Sequence, residues 1–170
     1  MKILDKLVYM AAIGTLASCF YATEAQAIQT YTSWGIAVAH PDKDASADKN
    51  KYVEFGIQKA FKVFDTRWGI GGWTDKTKYP GASHSVYTHY QLGLETRNRE
   101  GFYTGFFIGP SYISNPDTLL SSHLQFSQSV EVGWGDTRGV RIALIVKHLS
   151  NAGLKTPNKG RNFVGLQVRF

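Results

Sequence analysis

His148 and Ser150 stand two positions apart in the run Val140-Arg141-Ile142-Ala143-Leu144-Ile145-Val146-Lys147-His148-Leu149-Ser150. An imidazole beside a hydroxyl pairs a general base with a nucleophile, the equipment of ester or amide cleavage. Along a β-strand alternate side chains share a face, so His148 and Ser150 would lie on one side with Cβ atoms about 6.5–7 Å apart. Inclined rotamers close that gap to a hydrogen bond. A strand that ends at a membrane interface also carries polar residues there, so His-x-Ser alone does not separate catalysis from an interfacial strand end.

The rest of the run gives the pair its surroundings. Val140, Ile142, Leu144 and Val146 share the face of His148 and Ser150, while Arg141, Ala143, Ile145 and Lys147 share the other. Two cations suit a polar interior, and an all-aliphatic row suits lipid. His148 and Ser150 are therefore expected on a lipid-facing wall, where ionisable groups are costly and invite a functional explanation.

The elements that must position them read as eight strands: Thr32–Ala39, Lys51–Phe61, Asp65–Thr74, His84–Thr96, Phe102–Tyr112, Leu124–Trp134, Val140–Ser150 and Asn162–Phe170. Aromatic and β-branched residues alternate with polar or small ones in each, and turn residues separate them. Connections alternate in length. His40–Asn50, Asp75–Ser83, Ile113–His123 and Asn151–Arg161 are long, whereas Lys62–Phe64, Arg97–Gly101 and Gly135–Gly139 are short. Transmembrane barrels have an even strand count, short periplasmic turns and longer external loops. The expected fold class is thus all-β, an eight-stranded antiparallel transmembrane β-barrel. Both termini would be periplasmic, and the His148–Ser150 end would lie at the outer leaflet. So small a barrel is filled by side chains. In the last strand, Val164, Leu166, Val168 and Phe170 alternate with Phe163, Gly165, Gln167 and Arg169. A final Phe on such a strand resembles the C-terminal assembly signature of bacterial outer-membrane barrels. A soluble lipocalin-type barrel also alternates, with the apolar face inward. Trp34, Trp68, Trp73 and Trp134 fit interfacial girdles.

Residues 1–27 read as a signal peptide: Lys2 and Lys6, an apolar stretch from Leu7 to Tyr21, and a small-x-small site at Ala25-Gln26-Ala27. The barrel domain then spans 28–170. Leu16-Ala17-Ser18-Cys19 offers a competing lipoprotein box that would leave Cys19 lipidated. Cys19 is the single cysteine, so after cleavage at Ala27 disulfides and Cys-based chemistry are excluded. The formal net charge is +6, which suits an anionic partner or simple solubility. For an exported chain that partner is an anionic lipid head group rather than nucleic acid. His40, His84, His89 and His123 have no metal-ligand spacing, so no metal or organic cofactor is expected.

The run His148-Leu149-Ser150-Asn151-Ala152-Gly153-Leu154-Lys155-Thr156-Pro157-Asn158-Lys159-Gly160 resembles the signature of the lipid A 3-O-deacylases (PagL family). Phe126, on the face of Val130, Val132 and Trp134, matches a Phe that the family keeps near its active site. The resemblance implies an outer-membrane serine esterase that removes a 3-hydroxy fatty acid from the 3-position of lipid A. Ser150 would be the nucleophile and His148 its base. Asn151 and the backbone amides of Ala152 and Gly153 would form the oxyanion hole. Asn158 would brace the loop, and Gly153 and Gly160 would let the chain turn tightly, with turn chemistry alone as the alternative for Asn151, Asn158 and both glycines. Phe126, Asn158, Lys155, Lys159 and Arg161 would meet substrate, the three cations at phosphates or core-sugar anions, with a solvated loop as the alternative for the cations. Lipopolysaccharide would be the substrate, and the sequence leaves room for a homodimer.

One position departs from the family. Its Glu, twelve residues after the Ser, is Asn162 here. Asn162 shares the outward parity of Val164 and Leu166, so it is expected across the hairpin from His148. An amide can hold a histidine tautomer but cannot offset imidazolium charge. Three outcomes stay open: an active His-Ser-Asn variant, rescue by another acid, or a degenerate barrel that only binds lipopolysaccharide or supports the envelope. Glu131 is a poor rescuer, because its parity puts it inside with Ser127 and Ser129.

Overall fold

A computed structural model of the protein describes residues 28–38, 50–61, 63–74, 84–96, 100–116, 119–136, 139–156 and 158–170. Their strands are β1 (Ile28–Val38), β2 (Lys51–Ala60), β3 (Asp65–Thr74), β4 (His84–Glu95), β5 (Glu100–Ile113), β6 (Leu124–Asp136), β7 (Arg141–Ser150) and β8 (Arg161–Arg169). Each pairs antiparallel with the next, and β8 returns to β1, closing a barrel. The expected signal segment 1–27 with Cys19, and His40, lie outside the described residues.

Period-two alternation decides which way each strand turns. Val53, Phe55, Leu92, Leu94, Ile142 and Leu144 point outward and are exposed. Glu54, Arg67, Glu131, Arg141, Lys147 and Arg169 point inward and are buried. An apolar exterior around a charged interior is the inverse of a soluble barrel and matches a wall that faces lipid. Closure leaves no strand edge unpaired within the bilayer, where water cannot satisfy one.

The interior is filled, and it changes character along the barrel axis. Toward the short turns and the middle it is a network of ions. Arg67 Nη2 donates to both oxygens of Glu131 at 3.0 Å. Glu131 also accepts from Gln167 at 2.7 Å and from Arg169. Arg169 reaches Glu95 at 2.6 Å, and Arg141 bonds the same carboxylate. Glu54 gathers Lys147, Tyr87, Tyr31 at 2.9 Å and His89 at 3.3 Å. Guanidinium groups also stack on rings, Arg67 at 3.7 Å from the Phe107 centroid and Arg141 at 3.5 Å from that of Tyr103. Small residues make room opposite the large ones: a Cβ on Gly133 would lie 2.6 Å from the Tyr103 ring.

Toward the long loops the interior becomes apolar. Ala37, Tyr52, Trp73, Tyr87, Ile113, Leu149 and Phe163 form one cluster, capped by Leu120 from the β5–β6 connection. Phe163 lies 5.1 Å from Tyr52 and 5.5 Å from Trp73 between ring centroids. Trp73 therefore departs from the expected girdle. It sits on the inward parity of β3 with Arg67 and is 3% exposed. Trp34, Trp68 and Trp134 do face outward.

The ion network can be tested by leaving its cations unpaired. Both side chains of the Arg67–Glu131 pair are fully buried. Removal of one partner from such a pair typically costs about 3–5 kcal/mol. Glu131→Ala should lower the barrel's stability by that order, read as a lower urea midpoint for the heat-modifiable gel shift. Val132→Leu, on the outer face next to it, should move the midpoint little.

Candidate active site

The site lies on the outer wall at the long-loop end of β6, β7 and β8. Backbone register places Phe126 opposite Ser150, Gln128 opposite His148, and His148 opposite Asn162. His148, Ser150, Asn162, Phe126 and Gln128 are all partly exposed on the outward face. Behind them, Leu149 and Phe163 point inward and are fully buried in the apolar cluster. The outward side chains thus stand on a packed floor. The wall below them is aliphatic, with Val130, Val146 and Val164 in register.

His148 Nδ1 meets Asn162 Oδ1 at 2.7 Å. An amide oxygen only accepts, so this contact fixes the proton on Nδ1 and leaves the Nε2 lone pair for an incoming proton. The opposite amide orientation would place an N–H against Nδ1 and put the ring proton on Nε2, where the ring could not act as base toward Ser150. Gly160 presses on the imidazole edge. An added Cβ there would lie 2.5 Å from His148 Cε1 and 3.2 Å from Nε2, and the residue has φ +67°. Only glycine combines that backbone conformation with that approach.

The segment after Ser150 is a tight turn. Leu154 N–H donates to Asn151 C=O at 3.0 Å, and the central residues Ala152 and Gly153 have φ 52° and 80°. Positive φ at both central positions defines a type I′ turn. Asn151 is its anchor and is fully buried. Its Oδ1 accepts from Gly153 N–H at 3.0 Å. Its Nδ2 faces Lys155 C=O at 2.7 Å, and Leu120 C=O and Ser121 Oγ at 3.3 Å each. Its backbone N–H donates to Asn158 Oδ1 at 3.0 Å. One buried amide thereby ties the β7–β8 turn to the β5–β6 connection, and Lys159 N–H to Leu119 C=O at 3.0 Å adds a second tie.

These contacts sort the residues expected from sequence. His148, Ser150, Asn162 and Phe126 come together on one face. Asn158 braces the turn. In the expected oxyanion set, Asn151's side chain, its backbone N–H and the N–H of Gly153 already have partners. The N–H of Ala152 and the Nδ2 of Asn158 have none among the described residues. Lys155 and Lys159 are exposed on the turn. Arg161 differs from the expectation that it meets substrate: it is the first residue of β8, its parity turns it inward, and its guanidinium lies 5.4 Å from the Trp73 ring at 4% exposure. Glu131 sits inside, as its parity implied, among Arg67, Arg169 and Gln167. Two features were not anticipated. The contact of Gly160 with His148 depends on loop geometry, which the order of residues does not display. Gln128 carries a signal in the sequence, its shared parity with Phe126 on β6.

Gly160→Ala should displace the imidazole of His148. Misplacement of a catalytic group by about 1 Å can cost 10²-fold in rate. The variant should fold, with an unchanged heat-modifiable mobility, yet hydrolyse esters at least tenfold more slowly, on the order expected for such a displacement. Wild-type turnover in this variant would show that the contact does not position the ring.

The model of the lipid A 3-O-deacylase (PagL) family matches residues 44–170. The lipid A deacylase PagL of Bordetella bronchiseptica is 31% identical over 101 residues, which cover 58% of this chain and 56% of that protein. The chain thus spans about half the length of that curated relative. The crystal structure of the outer membrane enzyme PagL aligns with a TM-score of 0.60 at 17% identity, covering 84% of this chain and 98% of the other. Neisserial surface protein A aligns with a TM-score of 0.56 at 10% identity, covering 84% and 94%. At those identities the solved structures support the barrel fold, while the sequence match reaches the turn that carries the site. With about three quarters of its length matched by the family model, the chain belongs to the lipid A 3-O-deacylase (PagL) family.

Proposed function

We propose that the protein is an outer-membrane serine esterase that hydrolyses the 3-position acyl ester of lipid A in the outer leaflet. The observation that carries this reading is the His148–Asn162 contact of 2.7 Å on the outward wall, two residues from Ser150 within the family's motif. A site on the outer face of a filled barrel takes its substrate laterally from the membrane, and lipid A and its anionic lipopolysaccharide lie in that leaflet.

In this mechanism Ser150 Oγ attacks the ester carbonyl while His148 Nε2 accepts the hydroxyl proton. Negative charge gathers on the carbonyl oxygen, and the N–H of Ala152 and Nδ2 of Asn158 are turn donors without another partner among the described residues. The imidazolium returns its proton to the leaving sugar oxygen, so the 3-hydroxyl of lipid A departs and an acyl-Ser150 ester remains. Water, deprotonated by His148, then cleaves that ester and frees a 3-hydroxy fatty acid together with the Ser150 hydroxyl. Asn162 holds Nδ1–H throughout. It supplies orientation without the countercharge of a carboxylate, so the imidazolium is less stabilised than in a His-Glu pair. A second reading, a degenerate barrel that binds lipopolysaccharide without cleaving it, is favoured by that one neutral amide.

Mass spectrometry of lipid A from cells that express wild type, Ser150→Ala and Asn162→Glu separates the readings. The esterase predicts loss of one 3-hydroxyacyl group with wild type, none with Ser150→Ala, and faster loss with Asn162→Glu. Loss with Asn162→Glu alone points to the degenerate barrel. An unchanged lipid A mass in all three removes lipid A as substrate.

Lys155 and Lys159 flank the site on the exposed turn and are assigned to substrate phosphates. Replacing both with Gln should slow deacylation of lipid A in vesicles several-fold, and more so at low salt, where such charges act over about 10 Å or beyond. Hydrolysis of a short soluble ester should be unaffected. Equal losses on the two substrates would sink the assignment.

A further inference from the structure

Gln128 is the polar residue on this wall to which neither the motif nor the mechanism above gives a role. It lies on β6 directly across from His148, on the flank opposite Asn162. Its neighbours in the same row and below are apolar: Ile108 on β5, Val130 on its own strand, and Val146 on β7. Its side chain is partly exposed on the outward face and has no hydrogen-bond partner among the described residues. A primary amide on a lipid-facing wall is costly when unpaired, which makes it a marker of function.

Its placement suits one task. Ser150 pairs with Phe126, so Gln128 is the diagonal neighbour of Ser150 across β6 and β7. Diagonal pairs lie about 7–8 Å apart, within reach of a long side chain. Ester cleavage needs donors around the carbonyl oxygen, and several of those nearest Ser150 are spent on structure. Asn151 Nδ2 is held by Lys155, Leu120 and Ser121, and the N–H of Gly153 by Asn151 Oδ1. Donors remaining on the turn lie on one side of Ser150. On the β6 side, among the described residues, the outward-facing neighbours of Ser150 are Leu124 and Phe126, both apolar, and Gln128.

We infer that Gln128 is a further catalytic residue, whose Nε2–H donates to the substrate carbonyl oxygen and the oxyanion that develops on it as Ser150 attacks. The inference rests on the esterase reading, but it concerns any acyl ester taken from the lipid side. A fixed donor at that atom acts mainly on the transition state, so its loss lowers kcat rather than raising KM.

The test uses full-length protein in detergent micelles and a long-chain 4-nitrophenyl alkylphosphonate. Ser150 Oγ bonds to phosphorus, 4-nitrophenolate leaves, and the serine proton passes to His148. The phosphoryl oxygen then stands where the oxyanion would. Wild type should be labelled on Ser150 and Ser150→Ala should not. Gln128→Leu should keep its heat-modifiable mobility, because it replaces a lipid-facing amide with an apolar side chain. Its phosphonylation rate and its kcat on a long-chain ester should fall about 10²-fold with little change in KM, as for loss of one oxyanion donor. Gln128→Glu should be at least as slow, since a carboxylate repels the oxyanion. Labelling of Gln128→Leu at the wild-type rate, or a loss confined to KM, overturns the role. So does full activity in Gln128→Glu.

A parallel arm with lipid A vesicles keeps the two readings apart. Lipid A cleavage by wild type and Gln128→Leu at equal rates removes Gln128 alone. Slowed phosphonylation in Gln128→Leu, with lipid A untouched by wild type, upholds the donor and removes lipid A as substrate. Absence of labelling in wild type overturns both.

Discussion

A bilayer offers no water to the free edge of a sheet, so a sheet that crosses it must close on itself. Here closure is made by β8 against β1, from Tyr31 opposite Arg169 to Val38 opposite Asn162. The same strand pairs on its other side with β7 and brings Asn162 opposite His148. The strand that completes the barrel is thus also the strand that completes the candidate site. A slip of one residue in β8 would turn Asn162 inward and Arg161 outward, because side chains alternate with a period of two. It would also bury Val164 and Leu166 among ions and put Phe163 and Gln167 against lipid. Membrane partition therefore guards the register, and the register guards the His148–Asn162 contact.

The interior reinforces that constraint. Lys147, immediately before His148, is locked to Glu54, and Leu149, immediately after it, is packed in the apolar cap. β7 is gripped from inside on both sides of the reactive imidazole. The loop end is held in a comparable way by a polar anchor. Asn151 follows Ser150 and turns inward, where its amide bonds backbone carbonyls of two separate connections. Such a side chain contributes by fixing the turn's position, and a buried amide stripped of partners would be costly. In this arrangement rigidity comes from within the barrel and reactivity faces out.

Much of this was legible in the sequence because parity is a strict code once a strand is identified. His148, Ser150, Phe126 and Asn162 fell on the outer face by counting alone, and Glu131 on the inner. The code failed at edges. Arg161 counts as a loop cation only if β8 begins at Asn162, and the strand begins one residue earlier. One residue of strand is enough to send its guanidinium inward to Trp73. Trp73 was assigned to a girdle by residue type, although its parity with Arg67 in β3 already placed it inside. Contacts that depend on loop shape were not legible. Nothing in the order of residues sets Gly160 against His148, or sends the side chain of Asn151 to Leu120, thirty-one residues earlier in the chain.

The remaining chemical question is how much a neutral partner gives to the imidazole. A carboxylate at position 162 would have one stable way to face Nδ1–H, since both its oxygens accept. The amide has two orientations, and only one leaves Nε2 as a base. In the proposed mechanism Asn162 therefore assists only as far as its surroundings favour the oxygen-forward orientation seen here. That makes the site more dependent on its geometry than a His-Glu pair would be. In that mechanism, stabilisation lost at the imidazolium raises the weight of the other charged atom, the oxyanion, where each fixed donor counts for more. A wall that places Gln128 on the opposite flank of His148 from Asn162 has the means to strengthen that second term. In the proposed mechanism the departure at Asn162 and the amide at Gln128, unpartnered among the described residues, form one electrostatic arrangement that stabilises charge chiefly at the substrate oxygen rather than at the histidine.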